Sequence, residues 1–141
     1  MAEIADGRVA RGLHPVHAVL LAGAIPLFLG ALLSDLAYGS TYHVQWKNFA
    51  SWLAAGGPVY VGLALVWAIV DALRADVRAD RARWLYPFLL LATFVLGFIN
   101  ALIHARDGWA SMPAGSIFSF IVLALAIAAA WAGFSSHRVP R

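Results

Sequence analysis

The chain has 141 residues, of which 62% are hydrophobic and only 12% are charged. Soluble domains average about 45–50% apolar and about 25% charged residues, so this composition excludes an ordinary soluble protein and indicates an integral membrane protein. The net charge of +3 does not indicate nucleic-acid binding, because the basic residues lie between apolar runs and do not gather on one face.

Four apolar runs follow one another along the chain, each long enough to cross a hydrocarbon core that takes roughly 20 helical residues. Short polar connections separate them, which leaves an antiparallel arrangement as the expected packing. The sequence therefore predicts an all-α fold, a single-domain integral membrane four-helix bundle over residues 1–141. The predicted spans are about 15–36, 51–73, 84–104 and 116–135.

The first span opens with two histidines three residues apart, His14 and His17, and its apolar run closes on Asp35. Pro15 suits the first helical turn, where its missing N–H would lack a partner anyway. Stepping by four residues from His14 gives a strip with little side-chain bulk, and such strips let helices approach closely in lipid. We therefore expect Ala22, Pro26 and Gly30 to face other helices.

Basic residues are distributed unequally between the two sides of the predicted bundle. Lys47 and Arg106 fall on one side, and the other side carries eight arginines. Because cytoplasmic loops are enriched in Lys and Arg, this asymmetry predicts that both termini and the middle hairpin are cytoplasmic. The predicted location is a bacterial inner membrane, crossed several times. The eight arginines are Arg8, Arg11, Arg74, Arg78, Arg81, Arg83, Arg138 and Arg141.

Four polar residues are predicted at the cytoplasmic end, namely His14, His17, Asp71 and His137. Ionisable residues at membrane spans are costly, so each calls for a partner or a role. One hypothesis is a cofactor site, because a b-type haem needs two imidazoles from different helices, which His14 or His17 and His137 could supply. A simple metal or proton-relay role is another. The structural alternative is that His14 caps the first helix and His17 bonds Asp71.

A second polar group is predicted at the opposite end, where Asp35, His43 and His104 could form a small metal or substrate site, with zinc or copper as suitable metals. With no cysteine in the chain, a metal would depend on histidine, carboxylate, methionine or backbone ligands. The structural alternative is a hydrogen-bonded plug, in which Asp35 pairs with His104 and Asn100 bonds across helices. No hydrolase, nucleotide-binding or metalloprotease motif is present, so catalytic activity by this chain alone is not expected.

The chain resembles a family of small membrane proteins catalogued as domain of unknown function 2231. The resemblance runs from residue 12 to about residue 135, with two departures: Ala18 follows His17 where the family often has proline, and residues 133–137 replace a glycine-rich ending. It therefore does not support a role for His137. The matching residues are His14-Pro15-Val16-His17, Asp35-Leu36-Ala37-Tyr38, Trp46, Ala50-Ser51-Trp52-Leu53, Gly56, Asp71, Asn100, Arg106-Asp107-Gly108-Trp109 and Met112-Pro113-Ala114-Gly115.

The resemblance implies a redox setting, because family members are sometimes fused to or encoded with Rieske or cytochrome c modules and quinoprotein dehydrogenases. The sequence thus favours an electron-transfer or membrane-anchor module, associated with haem b or a quinone, that serves such a partner. A non-catalytic structural or assembly subunit is the alternative, and a small transporter is a third. A homo-oligomer is compatible with each of them.

Overall fold

The computed structural model describes residues 14–74 and 82–135, and every regular element in those ranges is helical. This confirms the all-α prediction. Four long helices are each apolar and long enough to cross a membrane. They are α1 (Pro15–Thr41), α2 (Val44–Arg74), α3 (Ala82–His104) and α4 (Ala114–Ser135), and a short 3₁₀ helix (Gly108–Ser111) lies between α3 and α4.

The four helices form a closed ring in which α1 packs against α2 and α4, and α3 packs against the same two helices. Close contacts show that ring neighbours are antiparallel: Gly23 of α1 meets Tyr60 of α2, and Gly30 meets Leu53. α1 and α3 therefore run in the same direction and face one another across the centre. This confirms the antiparallel four-helix bundle.

The helices are longer than the predicted spans, and the largest difference lies where α1 meets α2. α1 continues to Thr41, and α2 begins at Val44. Helices of this length measure about 40–46 Å, which exceeds the ~30 Å hydrocarbon core, so their ends project into the interfacial layers. Tyr42 ends α1 in the left-handed conformation (φ 59°), and its N–H donates to the Tyr38 carbonyl at 2.8 Å.

The buried face of each helix repeats every three and four residues in alternation. This 3.5-residue period is the mark of left-handed coiled-coil packing, in which one seam of each helix stays turned towards its neighbours. The seam residues are His17, Leu21, Ala24, Phe28, Ala31, Asp35 and Tyr38 on α1; Ala50, Ala54, Gly57, Val61, Ala64 and Ala68 on α2; Leu90, Thr93, Gly97, Asn100 and His104 on α3; and Gly115, Ser119, Val122, Ala126, Ala129 and Gly133 on α4.

The prediction that the small strip of α1 faces other helices is wrong for two of its three residues. Ala22 and Pro26 are exposed on the outside of the bundle, and only Gly30 is partly covered. A seam that repeats every 3.5 residues advances by about 103° per residue, so a strip with a four-residue step drifts about 50° per step away from it.

Gly30→Leu is expected to lower the thermal stability of the bundle in detergent, by about 1–3 kcal/mol in the free energy of unfolding. A Cβ at Gly30 would lie 3.0 Å from Leu53 Cδ1, so the larger side chain must displace Leu53. Ala124→Leu, at an exposed position of α4, is the control and should leave the melting temperature unchanged. Equal melting temperatures for both variants would show that Gly30 is also free of helix contacts.

Candidate functional site

A group of almost completely buried polar residues lies near the end of α1 and joins three helices. Asp35 of α1, Asn100 and His104 of α3, and Ser119 of α4 are each at most 1% exposed. We call them the Asp35 cluster. The heptad seam places all four on inward-facing positions, so each of these polar groups is surrounded by protein instead of lipid.

Hydrogen bonds connect the whole Asp35 cluster. His104 Nε2 contacts Asp35 Oδ1 at 2.8 Å, and His104 Nδ1 contacts the Asn100 carbonyl at 2.8 Å. Ser119 Oγ donates to Asp35 Oδ2 at 2.7 Å, and Asn100 Nδ2 donates to Ser119 Oγ at 3.1 Å. This confirms the hydrogen-bonded plug, including the Asp35–His104 pair and the bond of Asn100 across helices.

The proton count of the pair follows from these contacts. A carbonyl can only accept, so His104 Nδ1 carries a proton. The contact between His104 Nε2 and Asp35 Oδ1 needs one further proton, and either atom can hold it. The pair is then an imidazolium with a carboxylate, or a neutral imidazole with a carboxylic acid. In both cases its net charge is zero, which suits a site sealed from water.

Neighbouring elements close over the Asp35 cluster. Ser51 Oγ of α2 donates to the His104 carbonyl at 3.1 Å, so α2 also contacts the Asp35 cluster. A Cβ at Gly115 would lie 3.2 Å from His104 Cε1, which shows how closely α4 approaches the imidazole. A cleft of about 460 Å³ opens beside Asp35. The side chains of Asp35 and His104 are nevertheless 0% exposed, so the pair does not open into this cleft.

The predicted metal set is brought together only in part. Asp35 and His104 are in contact, but His43 is exposed just after the end of α1, where its backbone N–H contacts Thr41 Oγ1 at 3.4 Å. No group of three or more His, Cys, Asp or Glu side chains suited to a metal occurs in residues 14–74 and 82–135. The Asp35–His43–His104 hypothesis therefore lacks its third ligand, because α1 runs past Asp35 and carries His43 away from the seam.

The opposite end of the bundle carries a second polar group, which we call the His17 cluster and which comprises His14, His17, Trp67 and Tyr86. His17 is 2% exposed, and its Nε2 contacts the Tyr86 hydroxyl. His14 is the N-cap of α1, where its Nδ1 accepts from the Val16 N–H at 3.3 Å, as the structural alternative predicts. The ring of Trp67 on α2 lies 4.7 Å from the His14 ring and 6.0 Å from the His17 ring.

The predicted bond between His17 and Asp71 is wrong, because the structure pairs His17 with Tyr86 instead. Asp71 is exposed on α2. α1 and α3 face each other across the bundle, so Tyr86 lies directly opposite His17 on the seam. His137, the fourth residue of the predicted cofactor set, lies outside the described residues, and the haem hypothesis stays a prediction.

Tyr86→Phe is expected to destabilise the bundle by about 1 kcal/mol, because it removes one hydrogen bond of His17 and keeps the ring. His17→Ala should cost more, and combining it with Tyr86→Phe should add little, since both changes break the same contact. Asp71→Ala is the control and should change the free energy of unfolding by less than about 0.5 kcal/mol. Strict additivity of His17→Ala and Tyr86→Phe in thermal melts would contradict the pairing.

The two clusters are separated by five helical turns, about 27 Å along each helix. Apart from Thr93, whose hydroxyl donates to the Leu89 carbonyl of its own helix, apolar seam residues fill the space between them. Phe28 lies at the centre of α1 and is 0% exposed. The Phe28 ring occupies a slot between Gly57 of α2 and Gly97 of α3, where any Cβ would contact it closely. The described core therefore offers no continuous polar path from one cluster to the other.

Two hydrogen-bonding members of the clusters were not predicted from the sequence, Ser119 and Tyr86. Ser119 lies in a strongly apolar run, and its only signal is its place on the 3.5-residue seam of α4. Tyr86 follows Trp84 at the start of α3, a position typical of an interfacial aromatic residue. Burial on the seam, which the sequence does not show directly, makes each of them a partner of a residue on α1.

Comparison with known families agrees with this architecture. The family model described as "Predicted membrane protein (DUF2231)" matches residues 13–137, which is most of the chain. No curated protein and no solved structure matches the chain significantly.

Proposed function

The chain belongs to the DUF2231 family of predicted membrane proteins, and from that premise we propose that it is a membrane anchor or assembly module whose histidines hold its four helices in register. The proposal combines the anchor role with the structural role of the histidines. A redox protein as the anchored partner, such as a cytochrome, Rieske protein or quinoprotein dehydrogenase, stays a prediction from the resemblance.

One observation supports a structural role above the others: His14, His17 and His104 each make a ring-nitrogen hydrogen bond within the bundle. His104 uses both ring nitrogens, one on Asp35 and one on the Asn100 carbonyl. His17 Nε2 contacts Tyr86, and His14 Nδ1 caps α1. Ligation by these atoms would break an existing hydrogen bond, and at His104 the change would expose a buried carboxylate to an apolar core.

Electron transfer with a b-type haem or a quinone is the second candidate function. The observation that favours it is the His17 cluster, where two imidazoles one turn apart lie beside Trp67 at one end of the bundle. The His14 side is exposed, so a ligand could approach from outside the helix ring. Transport is not proposed, because Phe28 and its apolar neighbours fill the middle of the described core.

The deciding experiment is the absorption spectrum, metal content and organic extract of the purified protein, expressed with haem and metals supplied. The anchor proposal predicts no Soret band, no stoichiometric metal and no stoichiometric quinone. His14→Ala, His17→Ala and Asp71→Ala serve as matched variants. A Soret band with reducible α and β bands that disappears in His14→Ala or His17→Ala would overturn the proposal and establish a haem module.

The proposed orientation has both termini in the cytoplasm of a bacterial cell, with the connection between α1 and α2 on the opposite face. Eight of ten basic residues on one side carry this inference. Reporter fusions at Arg141 and after Lys47 should localise to opposite faces of the membrane. Localisation of both fusions to the same face would contradict the topology.

A further inference from the structure

The outer surface shared by α1 and α2 carries a tyrosine at an unusual depth. Tyr60 lies at the middle of α2 (Val44–Arg74), so its side chain starts near the centre of the span. It is 38% exposed, and its ring packs where a Cβ of Gly23 would stand. Among the described residues the Tyr60 hydroxyl has no hydrogen-bond partner, which contrasts with the partnered hydroxyl of Tyr86.

A backbone acceptor lies on the same surface, because Pro26 interrupts the hydrogen-bond ladder of α1 from inside the helix. Proline has no N–H, so it cannot donate to the carbonyl four residues earlier, which belongs to Ala22. No described side chain donates to that carbonyl either. Ala22 and Pro26 are both exposed, and they precede the midpoint of α1 (Pro15–Thr41), so the segment that carries this acceptor lies on the lipid side of the bundle.

Acyl chains can satisfy neither group. In the hydrocarbon core no water is available, and an unsatisfied donor or acceptor is costly there. Tyr60 lies slightly closer to the C-terminal end of α2, but helical side chains lean towards the N-terminus of their helix. Its hydroxyl is therefore directed away from the nearer membrane interface. The surface therefore presents one unpaired donor on α2 and one unpaired acceptor on α1 near mid-membrane depth, at the place where the Tyr60 ring contacts Gly23.

We propose that this side of α1 and α2 is the contact surface for a second copy of the chain. A two-fold axis places the same surface on both copies, so one donor and one acceptor on each are complementary to those of the other. The Tyr60 hydroxyl of one copy donates to the Ala22 carbonyl of the second, and the reverse bond forms by symmetry. The small side chains of Ala22 and Pro26 let the backbones approach closely enough for this bond.

Cysteine cross-linking tests the surface directly, because the chain has no cysteine of its own. Ala22→Cys in native membranes should give a disulfide-linked dimer on mild oxidation. Ala124→Cys is the matched control, an exposed alanine at the middle of α4 on another side of the ring, and it should stay monomeric. Absence of a dimer with Ala22→Cys, or equal cross-linking of both variants, would overturn the proposal.

Tyr60→Phe tests the hydrogen bond and leaves the ring on Gly23 in place, so folding should be kept. Loss of two symmetric interhelical bonds should weaken dimerisation in lipid nanodiscs or mild detergent by about tenfold. Tyr42→Phe, at an exposed tyrosine beyond the end of α1, should leave the dimer affinity unchanged. A monomeric wild type, or a Tyr60→Phe affinity equal to that of the wild type, would refute the contact.

Discussion

Asp35→Ala is expected to lower the free energy of unfolding by about 3–5 kcal/mol. The substitution leaves His104 Nε2, which is 0% exposed, without its partner, and also removes the acceptor of the Ser119 hydroxyl. His104→Ala should cost a similar amount, because it leaves the buried Asp35 carboxyl group without its imidazole partner. Detergent-solubilised protein unfolded by heat or by titration with sodium dodecyl sulfate, followed by circular dichroism, measures both.

The double variant distinguishes a pair from two independent contributions. With both partners removed, no uncompensated charge stays buried, so Asp35→Ala with His104→Ala should cost little more than either change alone. His43→Ala is the control, since that histidine is exposed and outside the cluster. Single effects below about 1 kcal/mol that simply add would show that the pair does not hold α1 against α3.

Gly57→Ala is the second large expected effect, a loss of about 1–3 kcal/mol or more. A Cβ at this position would overlap the Phe28 ring, and Gly97 on the other side of the slot leaves the ring little room to move. Phe28 is 0% exposed, so it cannot swing out towards lipid without opening the core. The same melting experiment reads out the change.

A matched glycine and a compensating variant sharpen this test. Gly39→Ala meets nothing within 4 Å and should be neutral or slightly stabilising, because alanine is the better helix former. Phe28→Leu combined with Gly57→Ala should recover part of the loss, since the smaller side chain makes room for the methyl group. A Gly57→Ala variant as stable as the wild type would mean that Phe28 does not fill the slot.

The four helices could be predicted from hydropathy because each apolar run is long and separated by polar connections. Which face of each helix packs into the bundle could not be predicted in the same way. Lipid is as apolar as a protein core, so Ala22 on the outside and Ala24 on the inside look alike in the sequence. The prediction for the small strip assumes that the packed face repeats every four residues, whereas the observed packing repeats every 3.5 residues.

Polar residues gave the better guide to the candidate site. The depth of Asp35 and His104 along their spans was enough to predict their pairing, because a buried carboxylate in a membrane needs a partner. For His17 two partners were available at the same depth, Asp71 and Tyr86. Depth cannot choose between them, since the choice depends on how α1 is rotated relative to α3.

The constant pairing of α1 with α3 constrains how this protein can change in length. His17 meets Tyr86 and Asp35 meets His104 at the same offset in the chain, so the intervening segments of the two helices have equal numbers of residues. An insertion of one residue between the clusters in α1 alone would turn one of them about 100° away from its partner. Viable insertions or deletions in this part of the chain must therefore come in pairs, one in each helix.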